Sequence, residues 1–253
     1  MRNILCIVCN NIESGGVEKY LINAYKNANL EKSKITILIP GKVLYEPYFQ
    51  ELTELNCELV ELNLNGDGLL RTLKLILNLN EFMRQKKYDV VHINTGNLSV
   101  ETASLLIAKH NKIPIRVAHS HSTVYKKSLL HESIRTLLRR SINNSSTVKL
   151  ACSLSAAKSL FGEEHSDEVQ IAKNGIEVKC FSFNPIVRED IRKQYGWNGK
   201  YVIGSIGRLA EEKNFDFLIR IFKRVHTLKV NAILAIIGDG KQHEQLERLC
   251  ADR

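Results

Sequence analysis

Seven short apolar runs punctuate the first two thirds of the chain, and several are unbroken rather than alternating. They are Ile4–Cys9, Ile35–Ile39, Cys57–Leu62, Asp89–Ile93, Ile115–Ala118, Val148–Ala151 and Val169–Ile171. A strand with one face in water alternates apolar and polar residues. An unbroken run must be covered on both faces, the condition of a parallel strand between two helical layers. Helical patterns separate the runs: Gly16–Ala28, Tyr48–Leu55, Gly68–Lys86, Asn97–His110, Ser128–Asn143 and Ser155–Leu160. Strand and helix in strict alternation predict an α/β chain with a doubly wound parallel sheet and right-handed crossovers.

Around residues 175–200 the rhythm breaks into Gly, Pro and Asn punctuation, with one short helix expected near Glu189–Tyr195. A new cycle then begins. "YVIGSIG" reads as a strand, "NFDFLIRIFKRVHTL" as an amphipathic helix, "AILAIIGDG" as a strand and "KQHEQLERLCADR" as a helix. The expected organisation is a Rossmann-like domain over 1–175, a connection over 176–199, and the incomplete start of a second Rossmann-like domain over 200–253. One such unit has too little core to stand alone.

The chain has 253 residues, 44% hydrophobic and 25% charged, which suits a soluble globular protein with a sizeable core. No apolar run approaches the ~20 residues of a membrane-spanning helix. The first run is too short for a signal-peptide core, and no small-residue cleavage site follows it. Cysteines at 6, 9, 57, 152, 180 and 250 are scattered, as reduced thiols in a cytoplasmic protein would be. Cys6 and Cys9 form a CxxC, but i and i+3 of a strand face opposite sides, so the pair is not expected to share a metal or a disulfide there. The net charge of +9 favours anionic partners: phosphates, nucleic acid or anionic lipid. A generally basic surface would give the same balance.

Ligands of open α/β sheets bind outside the carboxyl ends of the strands, so the residues there carry the functional reading. Ser14-Gly15-Gly16 follows the first strand and opens a helix. It is either a plain turn or a place where backbone comes within touching distance of an anion at a helix N-terminus. The GxGxxG pattern and a ribose-holding carboxylate after the second strand are both missing, which argues against a dinucleotide site. His92 ends one strand, and His119 and His121 end another, with the i, i+2 spacing that places both on one face. Imidazoles can hydrogen-bond a sugar hydroxyl or a phosphate oxygen, or serve the core. Zinc is a weaker reading, because no Cys or carboxylate cluster follows at ligand spacing. After the strand ending in Gly207, Arg208 and Lys213 stand before the next helix, either as a clamp for a diphosphate or as a solvated loop. "SLLHESIRTLLRRS", preceded by Lys126-Lys127, is a basic amphipathic helix that can lie on anionic lipid or pack on the sheet with its basic face in water.

Together "SGGVEKYL", "DVVHINTG", "RVAHSHS", "KNGIEVKCF" and "IGRLAEEKNFDFLI…AILAIIGDG" resemble the retaining GT-B glycosyltransferases of glycosyltransferase family 4, above all the bacterial enzymes of capsule and exopolysaccharide synthesis. The resemblance implies two Rossmann-like domains facing across a cleft, a nucleotide-sugar donor (UDP- or GDP-linked) on the C-terminal side, and a glycan or lipid-linked acceptor on the N-terminal side. It implies that Arg208 and Lys213 grip the donor diphosphate, that Gly15 and Gly16 face the diphosphate and reacting sugar, that His121 contacts the donor sugar, and that Asn174-Gly175 marks the crossing between domains. No cofactor and no divalent metal are expected, because the cations take the metal's place, and nucleic acid is not an expected partner. A cytoplasmic enzyme, in peripheral contact with the inner face of the membrane where the acceptor is lipid-linked, fits this reading. The family's Glu-x7-Glu segment does not occur before Arg253, so the chain by itself is expected to be inactive. The alternatives are a non-catalytic remnant that binds a membrane or a partner protein, a GT-B epimerase, and a metal-dependent hydrolase.

Overall fold

The computed structural model describes residues 1–29, 31–64, 68–122 and 132–251. The chain divides into two compact units, Met1–Glu177 and Val178–Arg253.

In the first unit β1 (Arg2–Val8), β2 (Ser33–Ile39), β3 (Glu58–Glu61), β4 (Val90–Asn94), β5 (Ile115–Ser120), β6 (Val148–Ala151) and β7 (Gln170–Ile171) form one sheet in the order β3-β2-β1-β4-β5-β6-β7. Every pairing is parallel. The unbroken apolar runs are explained by β1. Leu5 and Ile7 enter one buried cluster, while Cys6 and Val8 enter another. Helices α1 (Gly16–Asn27) and α2 (Glu46–Glu54) cover the second cluster through Leu21, Ile22, Tyr25 and Leu52. Helices α3 (Leu69–Gln85), α4 (Leu98–His110), α5 (Glu132–Ser145) and α6 (Leu154–Phe161) cover the first through residues such as Leu79, Leu105, Ile142 and Phe161. Each such side chain contributes about 1.5–3 kcal/mol by leaving water.

Local sequence sets the helix starts. Asn97 Oδ1 accepts from the Ser99 and Val100 amides at 3.1 and 3.2 Å and caps α4, and the Ser153 hydroxyl caps α6 by accepting from the Ala156 amide. The basic helix expected over 128–143 is seen as α5 from Glu132. Its expected first residues, together with Lys126 and Lys127, lie outside the described residues. A 3-10 turn over Glu163–Glu168 was not foreseen from the pattern.

In the second unit α7 (Pro185–Gln194) starts earlier than the sequence predicts, because Asn184 Oδ1 accepts from the Ile186 and Val187 amides and Pro185 suits the first helical turn. Strands β8 (Tyr201–Ile206) and β9 (Ala232–Ile237) pair in parallel around α8 (Phe215–Leu228), and α9 (His243–Ala251) follows. Their buried cluster is small: Leu209, Phe215, Ile219 and Leu246. Cys6 is buried and Cys9 exposed, and none of the six cysteines is in a disulfide. Among the described residues no helix is long and apolar enough to cross a membrane.

Candidate functional site

In the first unit the chain winds outward from β1 in both directions, so the crevice of the sheet falls between the carboxyl ends of β1 and β4. The glycine pair opens α1 beside it. Gly15 has φ −103° and ψ 164°, and neither glycine lies at positive φ, so no left-handed turn requires them. Packing does not require them either: a Cβ on Gly15 would come within 2.2 Å of Glu18 Oε2, the movable end of a flexible side chain, and one on Gly16 would meet nothing within 4 Å. Gly15, at the N-cap position of α1, supplies no side-chain cap.

One turn into α1, Tyr20 sets its ring edge-on against His119 (centroids 5.0 Å apart) and His121 (5.3 Å). Strand pairing brings the three histidines together. His92 Nε2 lies 3.0 Å from His119 Nδ1, the two rings stack, and the His119 and His121 ring centroids are 3.9 Å apart. His121 Nε2 lies 2.7 Å from Asn94 Oδ1. Burial pushes all three imidazoles down, His92 to about 3, His119 to about 2 and His121 to about 4, with the other histidines adding to the shift at His92 and His119. All three are therefore neutral at physiological pH. Buried His119 Nε2 and His121 Nδ1 have no hydrogen-bond partner among the described residues. Among those residues no group of three or more His, Cys, Asp or Glu side chains is arranged to hold a metal ion.

Behind this cluster lies a buried carboxyl. Glu101, on the first turn of α4, accepts from the Thr95 hydroxyl at 2.8 Å, and burial raises its pKa to about 8 against those bonds. It is mostly protonated at neutral pH. Sequence reading missed Tyr20, Asn94, Thr95 and Glu101. Asn94 was findable: it follows His92 by two residues in a strand, the spacing that singled out His119 and His121. Tyr20 and Glu101 carry no such signal, since each reads as an ordinary helical position.

Asn174 is exposed after β7, and the neighbouring Gly175 carbonyl accepts from Asn23 Nδ2 on α1 at 3.0 Å. In the second unit, Gly207, Arg208 and Lys213 gather beyond the carboxyl end of β8. A Cβ on Gly207 would meet the Lys213 stem at 4.0 Å, and the Gly207 carbonyl lies where a Cβ on Gly238 would clash, at 1.9 Å. The Leu209 amide donates to the Asp239 carbonyl, fastening the β8 loop to the β9 loop. Arg208 and Lys213 are exposed and form no ion pair among the described residues. Asn214, left-handed at φ 53°, starts α8 directly after Lys213. On α5, by contrast, Arg135 and Arg139 both engage Glu132, and Arg139 also donates to the Ser159 carbonyl.

Two family models match this arrangement, Glycosyltransferase Family 4 over residues 14–179 and Glycosyl transferases group 1 over residues 187–253. The first covers more than half of the chain, and the chain belongs to glycosyltransferase family 4. EpsF of Bacillus subtilis (strain 168), which carries a glycosyltransferase name, is 25% identical over 95% of this chain and 63% of its own length. Alpha-monoglucosyldiacylglycerol synthase of Acholeplasma laidlawii is 26% identical over 71% of this chain and 50% of its own. The crystal structure of Anabaena Alr3699/HepE in complex with UDP and glucose superposes with a TM-score of 0.74 at 15% identity, over 98% of this chain and 65% of that one, a likeness of GT-B fold. The chain thus spans between half and two thirds of the length of these proteins.

Proposed function

We propose that the protein moves a sugar from a UDP- or GDP-sugar to a glycan or lipid-linked acceptor, with retention of configuration, in surface polysaccharide synthesis. Residues 1–175 form the acceptor side, 200–253 belong to the donor side and 176–199 connect them. The observation that carries this reading is the pair of exposed cations, Arg208 and Lys213, beyond the carboxyl end of β8, which form no ion pair among the described residues. Family membership supports it, as do a relative named for glucosylating diacylglycerol and a fold neighbour that binds UDP and glucose.

Breaking the bond between sugar C1 and the phosphate oxygen builds charge on the departing diphosphate. Fixed cations whose grip tightens as that charge grows lower the barrier, and need neither a cofactor nor a metal. The acceptor hydroxyl attacks C1 on the leaving-group face, the C1–O bond to phosphate breaks, and the hydroxyl proton passes to the departing phosphate oxygen. His121 contacts the donor sugar. Gly15 and Gly16 face the diphosphate and reacting sugar at the N-terminus of α1, and Asn174 lies at the crossing. The enzyme is cytoplasmic. Where the acceptor is lipid-linked, the exposed Arg140 on α5 adds to a peripheral attraction to anionic lipid.

The test uses the protein purified from its own cells, given labelled UDP- and GDP-hexoses with membrane-lipid and glycan acceptors. Transfer with the donor's anomeric configuration preserved is expected. Neither transfer nor nucleotide binding would overturn the proposal, and nucleotide binding without transfer would replace it with a non-catalytic partner subunit.

A further inference from the structure

We propose that Asn94 is a positioning residue that fixes His121 as its Nε2–H tautomer, so that His121 Nδ1 is an acceptor for a sugar hydroxyl rather than a contact for phosphate. The tautomer stands on geometry alone; the word sugar rests on the transferase reading above.

The argument begins at the Asn94 amide, whose ends are told apart by what they face. Asn94 Nδ2 lies 3.3 Å from the His92 carbonyl oxygen and 3.5 Å from Cys6 Sγ. A backbone carbonyl can only accept, so the NH2 end must face it. Oδ1 is then the end that lies 2.7 Å from His121 Nε2. A carbonyl oxygen has no proton to give, so Nε2 is the donor. The proton of the neutral ring is thereby spent, and Nδ1 is left as a lone pair, buried and without a partner among the described residues.

The surroundings hold that state. Tyr20 on α1 meets the His121 ring edge-on at 61°, and His119 on β5 lies against it. Among the described residues the titratable groups that face His121 are Tyr20, His119 and, from β4, His92, and no carboxylate stands among them to favour an imidazolium. Glu101, the nearby acid, is turned to Thr95. Burial holds His121 down to about 4, which keeps the ring neutral. A buried lone pair repels a phosphate oxygen and welcomes a hydroxyl proton, and leaving it unmet is costly.

The experiment reads the tautomer directly. In protein labelled with 15N-histidine, with His121 assigned through His121→Gln, native His121 should show a protonated-type Nε2 and a lone-pair-type Nδ1 near neutral pH. Asn94→Leu should mix the tautomers and slow transfer about tenfold. Asn94→Asp, which keeps an oxygen at the same place, should restore the single tautomer and raise the pH at which His121 titrates. UDP-glucose should shift the Nδ1 resonance, and UDP alone should not. A native Nδ1–H form, a native mixture, or an Asn94→Leu spectrum like the native one would overturn the positioning role. Equal shifts with UDP and UDP-glucose would overturn the hydroxyl assignment. A single Nε2–H tautomer in a protein that transfers no sugar would uphold the positioning role and remove only the transferase reading.

Discussion

The strand ends of the two units are furnished in opposite ways. In the first, the polar groups are buried or half-buried, neutral and hydrogen-bonded together: three imidazoles, an amide and a carboxyl, with Tyr20 against two of the imidazoles. In the second they are exposed cations on flexible stems above a cluster of four buried apolar side chains. Buried neutral groups act through the direction and sign of a hydrogen bond, because nothing there is free to rearrange. Exposed cations attract an anion from any direction and lose strength as salt rises. One arrangement suits recognition of a hydroxyl pattern, the other the holding of a diphosphate.

The sharpest way to break this contrast is through the cores beneath it. Phe161 is fully buried, and Phe161→Ala should destabilise the first unit by about 3–5 kcal/mol in urea unfolding. Phe217 on α8 is 57% exposed, and Phe217→Ala should change stability by no more than about 0.5 kcal/mol. Equal effects would mean that the Phe217 ring is packed in the second unit rather than exposed.

Next is the cation pair. Arg208→Ala should slow transfer by roughly 10²–10³-fold, the usual loss when a group that stabilises transition-state charge is removed. Nucleotide affinity of the native protein should fall with added salt. Unchanged rates in the variant would detach the exposed cations from the chemistry.

A smaller effect concerns pH. The histidines have folded pKa values below the ordinary 6.5, so between about 4 and 6.5 the unfolded chain binds more protons and stability rises with pH. Glu101 is the reverse. Its folded value is about 8 against 4.5, so between those limits the folded state binds the extra proton and stability falls as pH rises. Three histidines outweigh one carboxyl below 6.5, and above it Glu101 sets the slope among these four groups. Stability should therefore peak just above pH 6.5 and decline toward 8. Glu101→Gln should flatten that decline while leaving the acid limb, and thermal melts across pH would read both. A native protein flat from 6.5 to 8 would show that Glu101 is charged in the fold.

The smallest expected change is at Glu51, which bridges Lys19 and Lys26 on the surface of the first unit. Glu51→Gln should cost less than about 1 kcal/mol.

Much of this was legible in the chain itself. Unbroken apolar runs separated by amphipathic ones specify parallel strands under two helical layers, because period and coverage are properties of local sequence. His121 and Arg208 could be singled out because they stand one and two positions beyond a strand, and strand ends can be read from hydrophobic pattern, whereas Gly15-Gly16 and Lys213 stand about seven positions beyond one, at or just before the start of the following helix. The boundaries set by caps were less legible. Asn184 moved the start of α7, and a single side-chain hydrogen bond carries little periodic signal. Tertiary structure alone decided which strand ends are neighbours. The pairing of β4 with β5 sets His92 against His119 and Asn94 against His121, and the packing of α1 brings Tyr20 over them. Neutral imidazoles and a neutral Glu101 follow from burial, and burial is a property of what surrounds a residue, which no stretch of chain contains by itself.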